Sequence, residues 1–512
     1  MNGQHVFIAG AGPTGLALAI WLRLQGIEVT IVDKSAGPGL TSRAMVVQAR
    51  TLEFYRQAGL AEEVVAAGNV NPGVNLWVRG RKRARIWFGD AGSAVTPYPF
   101  ILVFPQDQHE RVLLHRLERL GVTVQRNTEV VAFAQSANGV QVRVRQADGT
   151  ERVHEAAFLA GCDGARSAVR NLLGAGFPGG TYQQVFYVAD VTLRGEAVDG
   201  QIHVALEAAD FLALLSYDRQ GHARLIGTVR EDREDVDSLT FNDVSHRAID
   251  GLGLSVAQVN WFSTYRVHHR VASRYRDERV FLLGDAAHVH SPAGGQGMNT
   301  GIGDAINLAW KLAAVCKGEA APALLDTYEL ERRAFAERLV ETTDRVFSLA
   351  TSESRLASVV RQHLVPSVAS LGYGIRPVRQ RMFRVISQTL IDYRNSWLSV
   401  GETGRVRGGD RLPWVRFEDG TDNYAALARP AWQVHIYGEA GAELKQWCAS
   451  KALVLQAFPW SSHCSDAGLV RDALYLVRPD MHVALTTARA RPDEVQDYLS
   501  SRSLWPRRAG GG

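Results

Sequence analysis

HVFIAGAGPTGLALAIWLRLQGIEVTIVD, residues His5–Asp33, is the stretch whose reading decides the fold. His5–Ala9 is a short apolar run of the kind that buried strands show, and it stops at Gly10. Pro13 stands where a helix would begin, a position at which its missing N–H is no loss. Leu16, Ile20 and Leu24 recur every four residues and give that helix one apolar face. Glu28–Asp33 reads as a second strand, so the chain opens on a βαβ unit. Gly10-Ala11-Gly12-Pro13-Thr14-Gly15 is GxGxxG. Gly10 permits the tight turn, Gly12 lets backbone approach a pyrophosphate, and Gly15 lets helix pack on strand, with Pro13 and Thr14 completing the turn. The helix N-terminus offers unpaired N–H groups and the positive end of a dipole to phosphates. Asp33, 18 residues after Gly15, can accept hydrogen bonds from an adenosine ribose, and Lys34 beside it is a further candidate cofactor contact. This is a dinucleotide site, and the fingerprint alone does not separate NAD from FAD.

Two later loops extend the site. Gly284-Asp285-Ala286-Ala287-His288 follows the apolar run Val280–Leu283 and continues through Ser291-Pro292-Ala293-Gly294-Gly295-Gln296-Gly297-Met298-Asn299. A helix follows, with Met298, Ile302, Ala305, Ile306, Ala309 and Leu312 on one face. Asp285 would reach a polyol chain. The glycine run, with Gly295, Gly297, Met298 and Asn299, would bring backbone N–H groups and a helix N-terminus against a flat electron-accepting ring. That suits a reduced flavin, whose N1–C2=O edge is negative. The third loop, Gly161-Cys162-Asp163-Gly164-Ala165-Arg166-Ser167, also follows an apolar strand and puts Asp163 near the pyrophosphate region, through water or an arginine.

The rest of the chain bounds the reading. Its 512 residues suggest two to four domains, and 46% hydrophobic with 21% charged residues is an ordinary globular balance. A net charge of +4 without a basic run interleaved with aromatics gives nucleic-acid binding little support. Cys162, Cys316, Cys448 and Cys464 have no CxxC or metal-ligand spacing, so reduced thiols and no metal are expected. There is no signal-peptide pattern and no membrane-spanning window, which points to a cytoplasmic protein. Glu110–Leu120 reads as a helix. Tyr182–Leu193, Ile202–Leu206, Phe211–Asp218 and Ala223–Arg230 are β-rich runs separated by polar breaks, the pattern of an inserted antiparallel sheet. Helical patterns run to about 397. Gly401–Pro413, rich in glycine and arginine, reads as a linker. Trp432–Tyr437 and Leu453–Phe458 follow as strands, then a hairpin of Leu474–Val477 and His482–Leu485, then a closing helix over Asp493–Leu499 and a disordered tail over Arg507–Gly512.

The three loops in this order resemble the single-component FAD-dependent aromatic hydroxylases, the para-hydroxybenzoate hydroxylase-like flavoprotein monooxygenases. The resemblance covers about residues 5–340 and is most specific over Gly284–Leu312. It implies that GxGxxG binds the ADP half of FAD, that the Asp163 loop contacts the pyrophosphate and bears on NADPH use, and that Asp285 binds the ribityl chain. Ser42-Arg43-Ala44 resembles the segment whose arginine contacts FAD, which assigns Arg43. Pro105-Gln106 resembles the one whose glutamine touches the cofactor, which assigns Gln106. The C-terminal part resembles the thioredoxin-like domain of longer members, Leu476-Val477-Arg478-Pro479-Asp480 being the recognisable piece; without CxxC it is given no redox role.

The expected fold is therefore α/β. A discontinuous Rossmann-type FAD-binding domain covers 1–180 and 266–398, with 70–104 a candidate addition to the substrate sheet. An inserted antiparallel-sheet substrate domain covers 181–265, a thioredoxin-like domain 399–506 and a tail 507–512. The resemblance implies an enzyme in which NADPH, or NADH, reduces FAD and leaves, O₂ forms a flavin C4a-hydroperoxide, and an aromatic, phenolic or polycyclic small molecule is hydroxylated. The oxidising chemistry is the cofactor's. Pro292 falls where the family has a backbone carbonyl orienting the reaction. No general base can be named: His288, His290, His268 and His269 all stay open, as do Tyr217, Phe211 and Tyr187 as pocket residues, and no arginine clamp is apparent. The segment Leu76-Trp77-Val78-Arg79-Gly80 lacks the marks of a flavin halogenase. A ubiquinone-type hydroxylase and a non-catalytic protein that sequesters an aromatic metabolite are the alternatives. No nucleic-acid or membrane partner is expected, and a homodimer is left open.

Overall fold

The computed structural model describes residues 5–39, 44–206, 211–229, 239–291, 295–351 and 375–505. A five-stranded sheet runs in the order Arg276–Asp277, Val280–Leu282, Phe158–Gly161, His5–Ala9, Glu28–Val32. The last four strands are mutually parallel, with Val6 opposite both Val29 and Phe158, and Gly161 opposite Leu282. Parallel neighbours carry their C-terminal ends to one edge, so the loops beginning at Gly10, Cys162 and Leu283 emerge side by side. The carboxyl edge of an open parallel sheet is where ligands bind. Val6, Phe7, Ile8, Leu159, Phe281 and Leu282 are buried between helices Pro13–Leu24 and Gly297–Cys316 on one side and further strands on the other.

An eight-stranded sheet is built from His288–Val289, Leu254–Val271, Gly179–Gly195, His222–Val229, Phe211–Ser216, Ile202–Leu206, Gly73–Val78 and Arg81–Trp87, in that order. Residues 73–87 join it through a parallel pairing of Val74 with Ile202. Alternation gives it two faces. One buries Tyr187, Ala189, Val191, Leu212, Leu214 and Leu225 with Phe241 and Ile249. The other turns Ile202, Ala213, Leu215, Tyr217 and Ile226 toward Met45, Val46, Ile101, Val103 and Phe383.

The C-terminal unit has a four-stranded sheet, Val454–Phe458, Gln433–Tyr437, Leu474–Val477 and Val483–Thr487, in which the first pair is parallel and the others antiparallel. Helices Ala442–Ser450 and Pro492–Ser501 accompany it. The expected linker Gly401–Pro413 is not a tether. A Cβ at Gly401 would lie 2.0 Å from the Thr486 carbonyl oxygen and one at Gly408 2.2 Å from Val400 N, while Arg411 is buried against Glu53. Its glycines serve close backbone approach, which composition alone does not distinguish from flexibility. Arg507–Gly512 lies outside the described residues. Among the described residues no helix is long and apolar enough to cross a membrane.

Candidate active site

The glycines of the first loop divide their work. Gly10 has φ +101, and a Cβ there would come within 2.2 Å of the Cys162 carbonyl oxygen. A Cβ at Gly15 would meet the Gly10 oxygen at 1.9 Å, so helix Pro13–Leu24 sits directly on its strand. Gly12 caps that helix, no side chain caps it, and a Cβ at Gly12 would meet nothing within 4 Å. Open space before uncapped N–H groups is what a pyrophosphate requires. Asp33 braces the same loop: Ala11 N donates to its Oδ2 at 2.7 Å and Ser35 N to its Oδ1 at 2.8 Å. Lys34 is exposed beside it.

The second loop is pressed against the first. Gly284 has φ +58, and added Cβ atoms at Gly284 and Gly301 would meet Thr14 Oγ1 at 2.6 Å and 2.3 Å. Asp285 follows Gly284 and is exposed. Helix Gly297–Cys316 starts with no side-chain cap and no acidic residue in its first turn. Gly295, with φ +62, rests on Val46, whose Cβ would stand 2.8 Å from an added Cβ. Gly297 and Met298 are half-buried at the helix start. Asn299 is engaged on all sides. Its Oδ1 accepts from Gln48 N (2.9 Å) and Thr51 Oγ1 (2.8 Å), and its Nδ2 donates to the Val46 (2.8 Å) and Gly295 (2.9 Å) carbonyls. Its side chain therefore shapes the loop, and its backbone N–H remains in the unpaired first turn.

Asp163 accepts from Ser167 Oγ at 2.5 Å and Val169 N at 3.1 Å, holding the third loop onto helix Ala168–Leu172. Arg170 from that helix donates to the Ala286 carbonyl at 3.0 Å, tying the third loop to the second. Gln106 opens helix Gln106–Arg119 and donates to Glu110 at 2.7 Å. Arg43 and Pro292 lie outside the described residues. The structure thus brings Gly10, Gly12, Pro13, Thr14 and Gly15 together with Asp33, Asp163, Asp285 and the start of helix Gly297–Cys316 at the carboxyl edge of the parallel sheet. The open space at Gly12, the two uncapped helix starts and the closely packed glycines fit a bound FAD.

Asp304 was not singled out by the sequence. It is fully buried and accepts from Gly284 N (3.0 Å), His288 Nε2 (2.6 Å) and Arg332 Nε (2.6 Å). Burial alone would raise its pKa, but Arg332 and His288 outweigh that and hold its carboxyl below the usual range. The available signal was a lone carboxylate in the apolar helix Gly297–Cys316. His288 is committed to this buried knot. His268 pairs with Thr181 Oγ1 at 2.7 Å, and His269 stacks edge-on with Tyr182, 4.8 Å between centroids. His290, half-buried, holds its Nδ1 2.7 Å from the Ser291 carbonyl oxygen, which fixes the proton on Nδ1 because a carbonyl only accepts. Of the three candidate pocket aromatics, Tyr187 packs with Phe241 and Phe262 on the sheet face away from Met45 and Val46. Tyr217 is on the near face at one end of its strand, and Phe211, at the other end, packs with Leu206 and Phe186. A one-residue difference in parity decides the side, and it is set by pairing with strands far away in sequence.

The chain can now be set beside known proteins. Residues 4–343 match the FAD binding domain family. The 6-methylpretetramide 4-monooxygenase of Streptomyces rimosus is 36% identical, the match covering 99% of this chain and 94% of that relative. The pentachlorophenol 4-monooxygenase of Sphingobium chlorophenolicum is 33% identical over 66% of this chain and 63% of its own. The anhydrotetracycline hydroxylase OxyS from Streptomyces rimosus superposes with a TM-score of 0.79 at 30% identity, covering 98% of this chain and 99% of its own. CabE, an aromatic hydroxylase from angucycline biosynthesis, gives 0.77 at 26% identity over 99% and 100%. With those loops at one sheet edge and these relatives, the chain belongs to the FAD-binding-domain family and is a single-component FAD-dependent aromatic monooxygenase.

Proposed function

We propose that the chain hydroxylates a polycyclic, hydroxyl-bearing aromatic with NADPH or NADH and O₂. The observation that carries this reading is the half-buried apolar face of the eight-stranded sheet, with Val74, Ile86, Ala213 and Ile226, turned toward the Val46 segment that abuts Gly295. A flat apolar wall beside a flavin loop suits a flat apolar ring system. Relatives named for pretetramide and anhydrotetracycline substrates support the polycyclic class.

Gly10, Gly12, Pro13, Thr14 and Gly15 would hold the pyrophosphate, Asp33 and Lys34 the adenosine end, and Asp285 the ribityl chain. Arg43, Gln106 and Asp163 are proposed as further contacts around the cofactor. Gly295, Gly297, Met298 and Asn299 would offer backbone N–H groups to the electron-rich ring edge. FAD bound there supplies hydride acceptance and O₂ activation. The chain's own work is to orient the substrate ring, hold the loop rigid through Asn299 and Asp304, and keep water from the ring through the apolar wall. Pro292 is proposed to orient the reacting region through its carbonyl.

Residues 181–265, with strands from 70–104, are proposed as the substrate domain. The C-terminal unit is proposed as a thioredoxin-like domain without redox function; its two cysteines, Cys448 and Cys464, are both buried and free. The test is a purified, yellow protein assayed over hydroxylated polycyclic aromatics and simple phenols. Aromatic-stimulated NADPH oxidation with one atom of labelled O₂ in the product is expected. A preparation that cannot be reconstituted with FAD overturns the reading.

A further inference from the structure

On the near face of the eight-stranded sheet an ion pair stands among apolar side chains. Asp190 stands opposite Arg224 on one neighbouring strand and opposite Trp261 on the other. Arg224 grips it with two bonds, Nε to Oδ1 at 2.8 Å and Nη2 to Oδ2 at 2.7 Å, while Tyr217 donates its hydroxyl to Oδ1 at 2.5 Å. The Arg224 side chain is 4% exposed and that of Asp190 25%. The register puts Asp190 and Arg224 on the same side as Leu215 and Ile226, and these two pack with Tyr217 against Met45 and Val46. The cluster therefore lies on the sheet face that meets the Met45–Val46 segment, and Val46 abuts Gly295.

An ion pair with its arginine buried is poor stabilisation, since well-packed hydrophobic side chains of similar volume do as well or better. Its geometry suits recognition instead. Among the described residues Oδ1 accepts from two donors, whereas Oδ2 accepts from Arg224 and has a second lone-pair direction. Arg224 fixes the carboxylate's plane with two bonds, and the Tyr217 hydroxyl holds it against turning. What such a group takes is an O–H donor. A methyl ether at the same point brings no hydrogen and sets oxygen lone pairs against a carboxylate.

We propose that Asp190, oriented by Arg224 and Tyr217, is the subsite that recognises a hydroxyl group of the aromatic substrate, through a hydrogen bond donated to Asp190 Oδ2. This rests on the aromatic-hydroxylase reading and goes beyond it by naming the substrate group that is read and the residue that reads it. The bond selects hydroxylated over O-alkylated rings and fixes the orientation in which the ring faces the flavin loop.

The test uses the FAD-loaded protein and two probes, anthraflavic acid (a dihydroxyanthraquinone without internal hydrogen bonds) and its dimethyl ether. Dissociation constants are measured by equilibrium dialysis. The wild type is expected to prefer the dihydroxy probe by about tenfold or more, the scale of a hydrogen bond to a charged group. Asp190→Asn should reduce that preference severalfold. Because that change strands a buried arginine, the double variant Asp190→Asn/Arg224→Met is measured too; it should hold FAD and show a ratio near one. A double variant that keeps the wild-type preference, or a wild type that has none, overturns the proposal. A wild type that has none yet still consumes NADPH and O₂ with other aromatics refutes only this subsite, whereas a chain that cannot be loaded with FAD refutes the functional reading itself.

Discussion

Asp304 joins three segments of the chain through one carboxylate, taking hydrogen bonds from the Gly284 backbone, His288 and Arg332. Its depressed pKa fixes the sign of a pH effect. The stability it contributes is fully present above the ordinary carboxylate range, near pH 4, and is lost as pH falls through its lower folded value. Asp304→Asn should destabilise the protein by about 3–5 kcal/mol at neutral pH in urea unfolding, since it leaves buried Arg332 short of its partner. The gap between variant and wild type should close below about pH 4; a gap that stays constant would mean that the charge is not the cause. The glycines give a second residue-scale contrast. Gly15→Ala drives a Cβ into the Gly10 oxygen and should lower apoprotein stability, while Gly12→Ala meets only open space. Gly12→Ala should leave the apoprotein Tm unchanged and weaken FAD binding by about tenfold, because its methyl group takes the position of approaching phosphate. Differential scanning fluorimetry and FAD titration separate the two outcomes.

The flavin-loop helix depends on an anchor outside itself. Asn299, in its first turn, connects Gly295 with Val46, Gln48 and Thr51, and so fixes the loop to helix Ala49–Gln57. Asn299→Ala leaves two donors and two acceptors to find other partners, a loss of about 2–4 kcal/mol. FAD should also dissociate faster, which stopped-flow fluorescence would detect; an unchanged rate would show that the loop keeps its shape unaided. At this scale the sequence was legible wherever an element is local. His5–Ala9 and Leu474–Val477 have the bounds that their apolar runs suggest, and Asp493–Leu499 lies within the helix Pro492–Ser501. It misled at Gly401–Pro413, where a close-packed corner has the composition of a linker, and it left Tyr187 open, because the face of that residue depends on a partner strand.

Across the whole molecule the C-terminal unit is bolted to the helices that carry the cofactor loops. Arg478 donates to both oxygens of Glu331, at 2.8 and 2.9 Å, and to Asp480, and all three are buried. Trp310 from the flavin-loop helix donates to Asp480 at 3.1 Å, Arg50 to the Asp480 carbonyl at 2.9 Å, and Gln57 to the Pro479 carbonyl at 2.9 Å. Arg478 takes both Glu331 oxygens, so although Lys311 touches Glu331 at 2.8 Å, burial still pushes its pKa down to about 8. Glu331, by contrast, is held well below the carboxylate range by Arg478 and Lys311 against the effect of its burial. Arg478→Met should cost about 3–5 kcal/mol by leaving Glu331 and Asp480 without their main cation. Calorimetry should then resolve an early transition for the C-terminal unit where the wild type melts in one; a single transition in the variant would show that the other interface contacts suffice.

The sequence by itself determined the cofactor half of this protein. GxGxxG, the Gly161–Asp163 turn and the Gly284–Asn299 run are local signals, because tight turns, close approach and helix starts are dictated by residues within a few positions of one another. Only the tertiary structure decided the other half. Asp190 and Arg224 lie 34 residues apart and meet through strand register, Asp304 meets Arg332 across 28, and the wall facing the flavin loop is assembled from strands spread between Gly73 and Val271. Which side chains share a face of such a sheet follows from pairing, and pairing is a property of the folded chain.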